Sequence, residues 1–93
     1  MFDIRVEGGR VVLAGRFDAA ESERAKRVLD GIPGPITLDC SRLEYISSAG
    51  IGVVMHTYKR MTKNGLTLTL SHLNPNVRNT FRYAGLDRVL SIT

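Results

Sequence analysis

From Ile36 onward the chain switches repeatedly between two spacings of its apolar residues, and that alternation is the tightest constraint on its fold. Ile36, Leu38 and Cys40 alternate with Thr37 and Asp39, the two-residue period of a half-buried strand. Ile51, Val54, Met55 and Tyr58 then fall at i, i+3, i+4 and i+7, which places them on one face of a helix. Leu66, Leu68 and Leu70 return to period two against Thr67, Thr69 and Ser71. Val77, Phe81 and Ala84 mark the buried side of another helix, and Val89, Leu90 and Ile92 a closing strand. Strands joined through single helices need crossover connections, which are right-handed and make neighbouring strands parallel.

The first third adds a hairpin and a helix. Phe2, Ile4 and Val6 alternate with Asp3, Arg5 and Glu7, Gly8-Gly9 supplies a two-residue turn, and Val11 to Ala14 return. Gly15 to Phe17 lead out of the sheet. Asp18-Ala-Ala-Glu21 has the form of a capping box, with Asp18 as N-cap and Glu21 at N3. Ala25, Val28, Leu29 and Ile32 give that helix an apolar stripe, and the prolines and glycines of 31–35 stop it. Ser41 to Glu44 read as a short link, with Leu43 and Ile46 pointing inward. Asn64-Gly65 ends the second helix, Asn74-Pro75 opens the third with Asn74 as cap, and Gly85-Leu86 ends it. The expected order is ββαβαβαβ: an α/β fold with a mixed, largely parallel sheet. Thr37, Asp39, Thr67 and Thr69 leave one sheet face incompletely covered, so three helices are expected mainly on the other. Residues 1–93 are read as a single domain.

Composition narrows the function classes. No apolar run approaches the ~18 residues of a membrane span. The N-terminus alternates and carries acids, unlike a signal peptide. The lone Cys40 supports no disulfide, which suits a reducing compartment, so the expected location is the cytoplasm. The net charge of +4 is spread from Arg5 to Arg88 without interleaved aromatics, which argues for solvated helix faces and caps and against direct nucleic-acid binding.

One segment is built for more than folding. Glu44 to Lys63 runs through Tyr45-Ile46-Ser47-Ser48-Ala49-Gly50-Ile51-Gly52 into an amphipathic helix. Ser47 or Ser48 would be the N-cap. Ala49, Gly50 and Gly52 keep the first turn free of bulk, so another molecule's backbone could approach it. A hydroxyl at a helix N-terminus is also where free amides and the dipole would stabilise a phosphate dianion. As an enzyme site the segment fails. His56 lies on the order of 12 Å along the helix from Ser48 at 1.5 Å per residue, too far to act as its base. Ser-Ala-Gly-Ile-Gly is not a nucleophile elbow. One cysteine and two separated histidines match no metal-ligand spacing, and Gly50-x-Gly52 has Met55 where a dinucleotide fingerprint needs a small residue. Neither metal nor cofactor is expected, and no catalytic residue. From the residues alone, Ser47-Ser48 reads first as a good cap before a tightly packed helix, ahead of a phosphate acceptor.

Thr37-Leu38-Asp39-Cys40-Ser41 followed by Tyr45-Ile46-Ser47-Ser48-Ala49-Gly50-Ile51-Gly52-Val53 resembles the core motif of STAS domains of the anti-sigma factor antagonist type, a strand and then Asp-Ser-Ser/Thr-Gly-Leu-Gly opening a helix. Gly15-Arg16-Phe17-Asp18 is similar to that family's Gly-Glu-Leu-Asp, and Pro75-Asn76-Val77 with Gly85-Leu86 to its later Pro-x-Val and Gly-Leu. The resemblance implies a non-enzymatic binding module in a bacterial partner-switching circuit. It implies a phosphate acceptor at Ser48, and a partner surface made by Asp18, Ser47, Ser48, Ala49, Gly50, Ile51 and Gly52. The implied partners are an anti-sigma factor that is also a serine kinase, and a metal-dependent serine phosphatase that reverses the modification. The unphosphorylated form would bind the anti-sigma factor and free the sigma factor, and the protein is expected to be a monomer. Two positions depart from the pattern: the acid before the acceptor is Ser47, and the second hydroxyl is Ala49. The missing acid motivates an alternative, a constitutive scaffold subunit of a larger lipid-transport or stress-signalling assembly, indifferent to charge at Ser48. A small serine hydrolase and a nucleic-acid binder are the readings from other classes.

Overall fold

A computed structural model describes all of residues 1–93. Its strands are β1 (Phe2–Glu7), β2 (Arg10–Phe17), β3 (Ile36–Ile46), β4 (Leu68–Ser71) and β5 (Ser91–Ile92). Its helices are α1 (Ser22–Asp30), α2 (Ser48–Lys63) and α3 (Pro75–Tyr83). The strands lie in sequence order, β1-β2-β3-β4-β5; β1 and β2 are antiparallel and every later pair is parallel. The ββαβαβαβ order and mixed sheet therefore match expectation.

Register explains which face is buried. Val11, Leu13, Leu38 and Leu70 point to one side and join Ala25 and Leu29 of α1, Val54 and Met61 of α2, and Val77 and Phe81 of α3 in one core of 21 buried residues. All three helices thus reach the same core, though α2 does so along a line other than its large apolar residues. The opposite sheet face carries Arg10, Val12, Thr37 and Thr69, all at least partly exposed.

Four local expectations are corrected. The capping box does not form. Asp18 is extended, but its side chain makes no cap bond, and Ala19–Glu21 is a 3-10 turn before α1. The amide that Glu21 should accept is already bonded to the Arg16 carbonyl at 3.0 Å, and the Glu21 carboxylate is taken by Arg24 at 3.2 Å. Second, Ser41–Glu44 is not a link but the middle of the 11-residue β3. Two register shifts against β2 add a residue to β3 each time, between Asp39 and Arg42 and between Leu43 and Tyr45. Such bulges turn side chains and increase twist, and they leave Leu43 and Ile46 buried as expected. Third, β4 starts only at Leu68 and the closing strand is two residues long, with Val89 exposed and Leu90 buried. Fourth, Ala84 is exposed just past α3.

The end of α2 and the start of α3 behave as read. Leu66 N–H donates to the Met61 carbonyl at 2.8 Å and Gly65 N–H to that of Thr62 at 3.1 Å, with Gly65 at φ 71°. This is the paired-bond ending that a left-handed glycine permits. Asn74 accepts the Val77 amide at 2.9 Å, with Pro75 in the first turn.

Candidate functional site

The entrance to α2 sits where β2 and β3 end side by side. Phe17 pairs with Ile46, and the next amide, that of Ser47, donates to the Phe17 carbonyl at 2.9 Å. This bond closes the sheet and turns the chain into the helix. Ser47 is then extended (φ −84°, ψ 172°), and its Oγ accepts the Gly50 amide at 3.1 Å. Of the two candidates for N-cap, Ser47 holds the place, and Ser48 becomes the first helical residue. Helix geometry leaves the amides of Ser48 and Ala49 without partners inside the helix. The Ser48 side chain is exposed, Ser47 and Ala49 are half-buried, and α2 has no acid in its first turn.

The glycines divide in the same way. A methyl group on Gly50 would sit 2.8 Å from Ile46 Cγ1, 3.0 Å from the Phe17 carbonyl oxygen and 3.1 Å from the Phe17 ring. Gly50 is therefore buried against the end of β2, and the room it leaves is filled by this chain. Gly52 is exposed, with nothing within 4 Å of such a methyl. Of the predicted partner-contact residues, Ser48 and Gly52 face solvent, Ser47, Ala49 and Ile51 are half-buried, and Gly50 faces inward.

Asp18 lies directly after Phe17, so the same strand end positions it beside this entrance. Its Oδ1 is buried without a hydrogen-bond partner, although the residue as a whole is partly exposed. The sequence reading did not single out the neighbouring pair of Arg16 and Tyr45. They are opposite in the β2–β3 register, and the Arg16 guanidinium lies 4.2 Å from the Tyr45 ring centre, a cation–π stack on the open surface. Beyond it a shallow depression of about 240 Å³ is lined by Met1, Asp3, Ala14, Gly15, Arg16 and Glu44. Only pairing register, which one sequence does not display, would have linked these two residues.

The histidines are engaged elsewhere. His56 Nε2 is 3.3 Å from Asp30 Oδ1 at the end of α1, and His72 follows β4 in a left-handed conformation. No three His, Cys, Asp or Glu side chains converge as metal ligands would. Cys40 is buried, and burial together with the Asp39 charge pushes its thiol up to about 12, so it stays protonated. No helix is long and apolar enough to cross a membrane.

A five-stranded mixed sheet whose third strand delivers a capped serine pair onto a helix defines a STAS domain. The chain belongs to the STAS family: the model described as "Mlab, STAS domain" matches residues 1–92. Within it, BtrV of Bordetella bronchiseptica, named as an anti-sigma factor antagonist, is 37% identical over 82 residues, covering 88% of this chain and 70% of BtrV. The fold is shared with a Thermotoga maritima protein also named as an anti-sigma factor antagonist (TM-score 0.82, 22% identity, 98% of this chain and 84% of that one). It is shared too with the Bacillus cell fate determinant SpoIIAA in its phosphorylated form (TM-score 0.72, 21% identity, 100% and 91%). By homology, then, this is a member of the anti-sigma factor antagonist group.

Proposed function

We propose that this protein is the binding module of a partner switch, in which phosphate on Ser48 releases an anti-sigma factor that is also its serine kinase. The observation that carries this reading is the division of labour between the two serines. The Ser47 hydroxyl is committed to the cap, whereas the Ser48 hydroxyl stands exposed at the positive end of α2. A dianion there meets free amides and the helix dipole, so the modified form costs the fold nothing. The same charge of about −1.5 to −2, placed on a contact surface with the open backbone of Gly52 beside it, breaks close docking. A serine phosphatase would reset the switch, and the protein would act as a cytoplasmic monomer. Ser47 also accounts for the missing acid, because a hydroxyl supplies the same capping oxygen without placing a carboxylate beside the phosphate.

The test is intact-mass analysis of protein purified from its native cell, with peptide mapping over Tyr45 to Lys59, followed by binding to the co-purifying kinase. A single phosphatase-sensitive phosphate on Ser48, with Ser48→Asp failing to bind and Ser48→Ala binding, is the expected result. Equal binding of both variants would sink the switch. It would favour the second reading, a constitutive subunit of a larger assembly, which draws support from the uncharged Ser47 and from the description of the matching family model.

A further inference from the structure

The glycine that ends α2 stands directly after an asparagine, and that pair has a chemistry of its own. An asparagine side chain is open to attack by the backbone nitrogen of the next residue. The attack is fastest when that residue has no side chain to crowd it. Of the asparagines in the chain, only Asn64 is followed by glycine. Pro75 after Asn74 has no N–H to lose, and Val77 after Asn76 and Thr80 after Asn79 are β-branched. Asn64 and Gly65 are both exposed, and a methyl group on Gly65 would have nothing within 4 Å. No neighbouring residue shields the pair.

What restrains the reaction is the hydrogen bonding of the helix end. Asn64 Nδ2 donates to the Arg60 carbonyl at 2.8 Å, which folds the side chain back over the last turn and away from its own following peptide. The Gly65 N–H, on the nitrogen that must attack, donates to the Thr62 carbonyl at 3.1 Å. Leu66 holds this turn shut, because its N–H donates to the Met61 carbonyl at 2.8 Å and its side chain packs against the core. Helix ends are nonetheless where local opening costs least. Asp30-Gly31 at the end of α1 is the comparable pair. The Asp30 carboxylate lies 3.1 Å from Lys26 and 3.3 Å from His56, and an ionised carboxylate resists the same attack.

We infer that Asn64 is a site of spontaneous deamidation, gated by opening of the last turn of α2. Once the turn opens, the Gly65 nitrogen gives up its proton and bonds to Asn64 Cγ. The Cγ–Nδ2 bond breaks, and Nδ2 leaves as ammonia with that proton, closing a succinimide ring. Water opens the ring at either carbonyl and gives aspartate or isoaspartate at position 64. Neither product restores the ending. The donor to Arg60 is replaced by a carboxylate at the negative end of the helix, where it is unfavourable. Isoaspartate also lengthens the main chain by one carbon. The change therefore favours the open turn that produced it and lowers the formal net charge from +4 by one. The Ser47 cap, at the other end of the 16-residue helix, is left intact.

The test incubates the full chain in warm, mildly alkaline buffer beside a synthetic peptide of Tyr58 to Leu70, which holds the same Asn-Gly without the fold. Ion exchange counts the more acidic species, and peptide mapping with isoaspartyl methyltransferase labelling locates the change. The peptide should deamidate readily, and the full chain at Asn64 alone and about tenfold or more slowly. Leu66→Ala, which loosens the turn but keeps Asn64-Gly65, should speed the full chain several-fold; Leu66→Val replaces it should the alanine variant not fold. Ile4→Ala weakens the core on β1, at the opposite edge of the sheet, and should leave the rate unchanged. Equal rates in chain and peptide overturn the gate. An unmodified Asn64 in the full chain and in the Leu66 variant overturns the site. Equal acceleration by Ile4→Ala overturns the last turn as the gate and assigns it to global unfolding.

Discussion

At α2's entrance, neighbouring residues of similar chemistry carry different burdens, and substitutions should separate them. Ser47→Ala removes the oxygen that accepts the Gly50 amide and should cost about 1 kcal/mol, the usual value of an N-cap. Ser48→Ala removes an exposed hydroxyl outside the cap and should change stability by less than about 0.5 kcal/mol. Urea midpoints of the two variants check the assignment, and equal losses would mean that both hydroxyls cap. The glycines make a second pair. Gly50→Ala forces a methyl against the Phe17 carbonyl and should destabilise by roughly 1–3 kcal/mol, as overpacking does. Gly52→Ala meets open space in a helix and should stabilise by up to about 1 kcal/mol. If the partner's backbone approaches Gly52, the same substitution weakens binding while raising the urea midpoint, a combination that loss of fold cannot produce.

At the scale of elements, the order of strands and helices was legible because period two and period 3.6 alternate cleanly after Ile36. Which face of α2 is buried was not. Counting large apolar residues selects Ile51, Val54, Met55 and Tyr58, yet the buried line is Gly50, Val53, Val54, Thr57 and Met61. The helix approaches closest where its residues are small, at Gly50 against Phe17, so close packing displaces Ile51, Met55 and Tyr58 to the rim. The Ser41–Glu44 segment misled for a related reason: bulges let polar residues stay in a strand by re-aiming their side chains. Beside the first bulge Asp39 is 4% exposed, with Arg10 paired to its carboxylate. The Ser41 amide donates to it at 2.9 Å. That backbone hydrogen bond, helped by Arg10 and His72 against the opposing effect of burial, holds the Asp39 carboxyl below its usual range. A depressed folded value means that stability is present above the unfolded value of about 4 and drains away as pH falls from there through the folded value. Asp39→Asn should therefore flatten the acid side of the stability profile below about pH 4, measured by urea midpoints between pH 7 and 3. An unchanged acid limb would show that Asp39 is not what links β3 to pH.

For the whole molecule, the question is whether a phosphate would act by reshaping the fold or by changing one patch of a fixed surface. Three connections hold α2 in place without using the Ser48 side chain. The Ser47 amide is tied to β2, and Gly50 is wedged on Phe17, whose ring in turn stacks on Phe2 at 4.6 Å. At the far end of the helix, Arg60 donates to the Leu29 and Ile32 carbonyls of 2.7 and 3.2 Å reach, capping the end of α1. Negative charge on Ser48 adds a favourable interaction with the helix dipole and disturbs none of these. Ser48→Asp should accordingly leave the urea midpoint unchanged or raise stability by about 0.3–1 kcal/mol. Its amide shifts should stay within the first turn of α2 and the adjoining Phe17–Asp18 strand end, while binding to the proposed kinase partner is lost. A variant that loses binding together with stability, or whose shifts spread through the sheet, would mean that the charge acts by loosening the core, and the surface-patch mechanism would have to be abandoned.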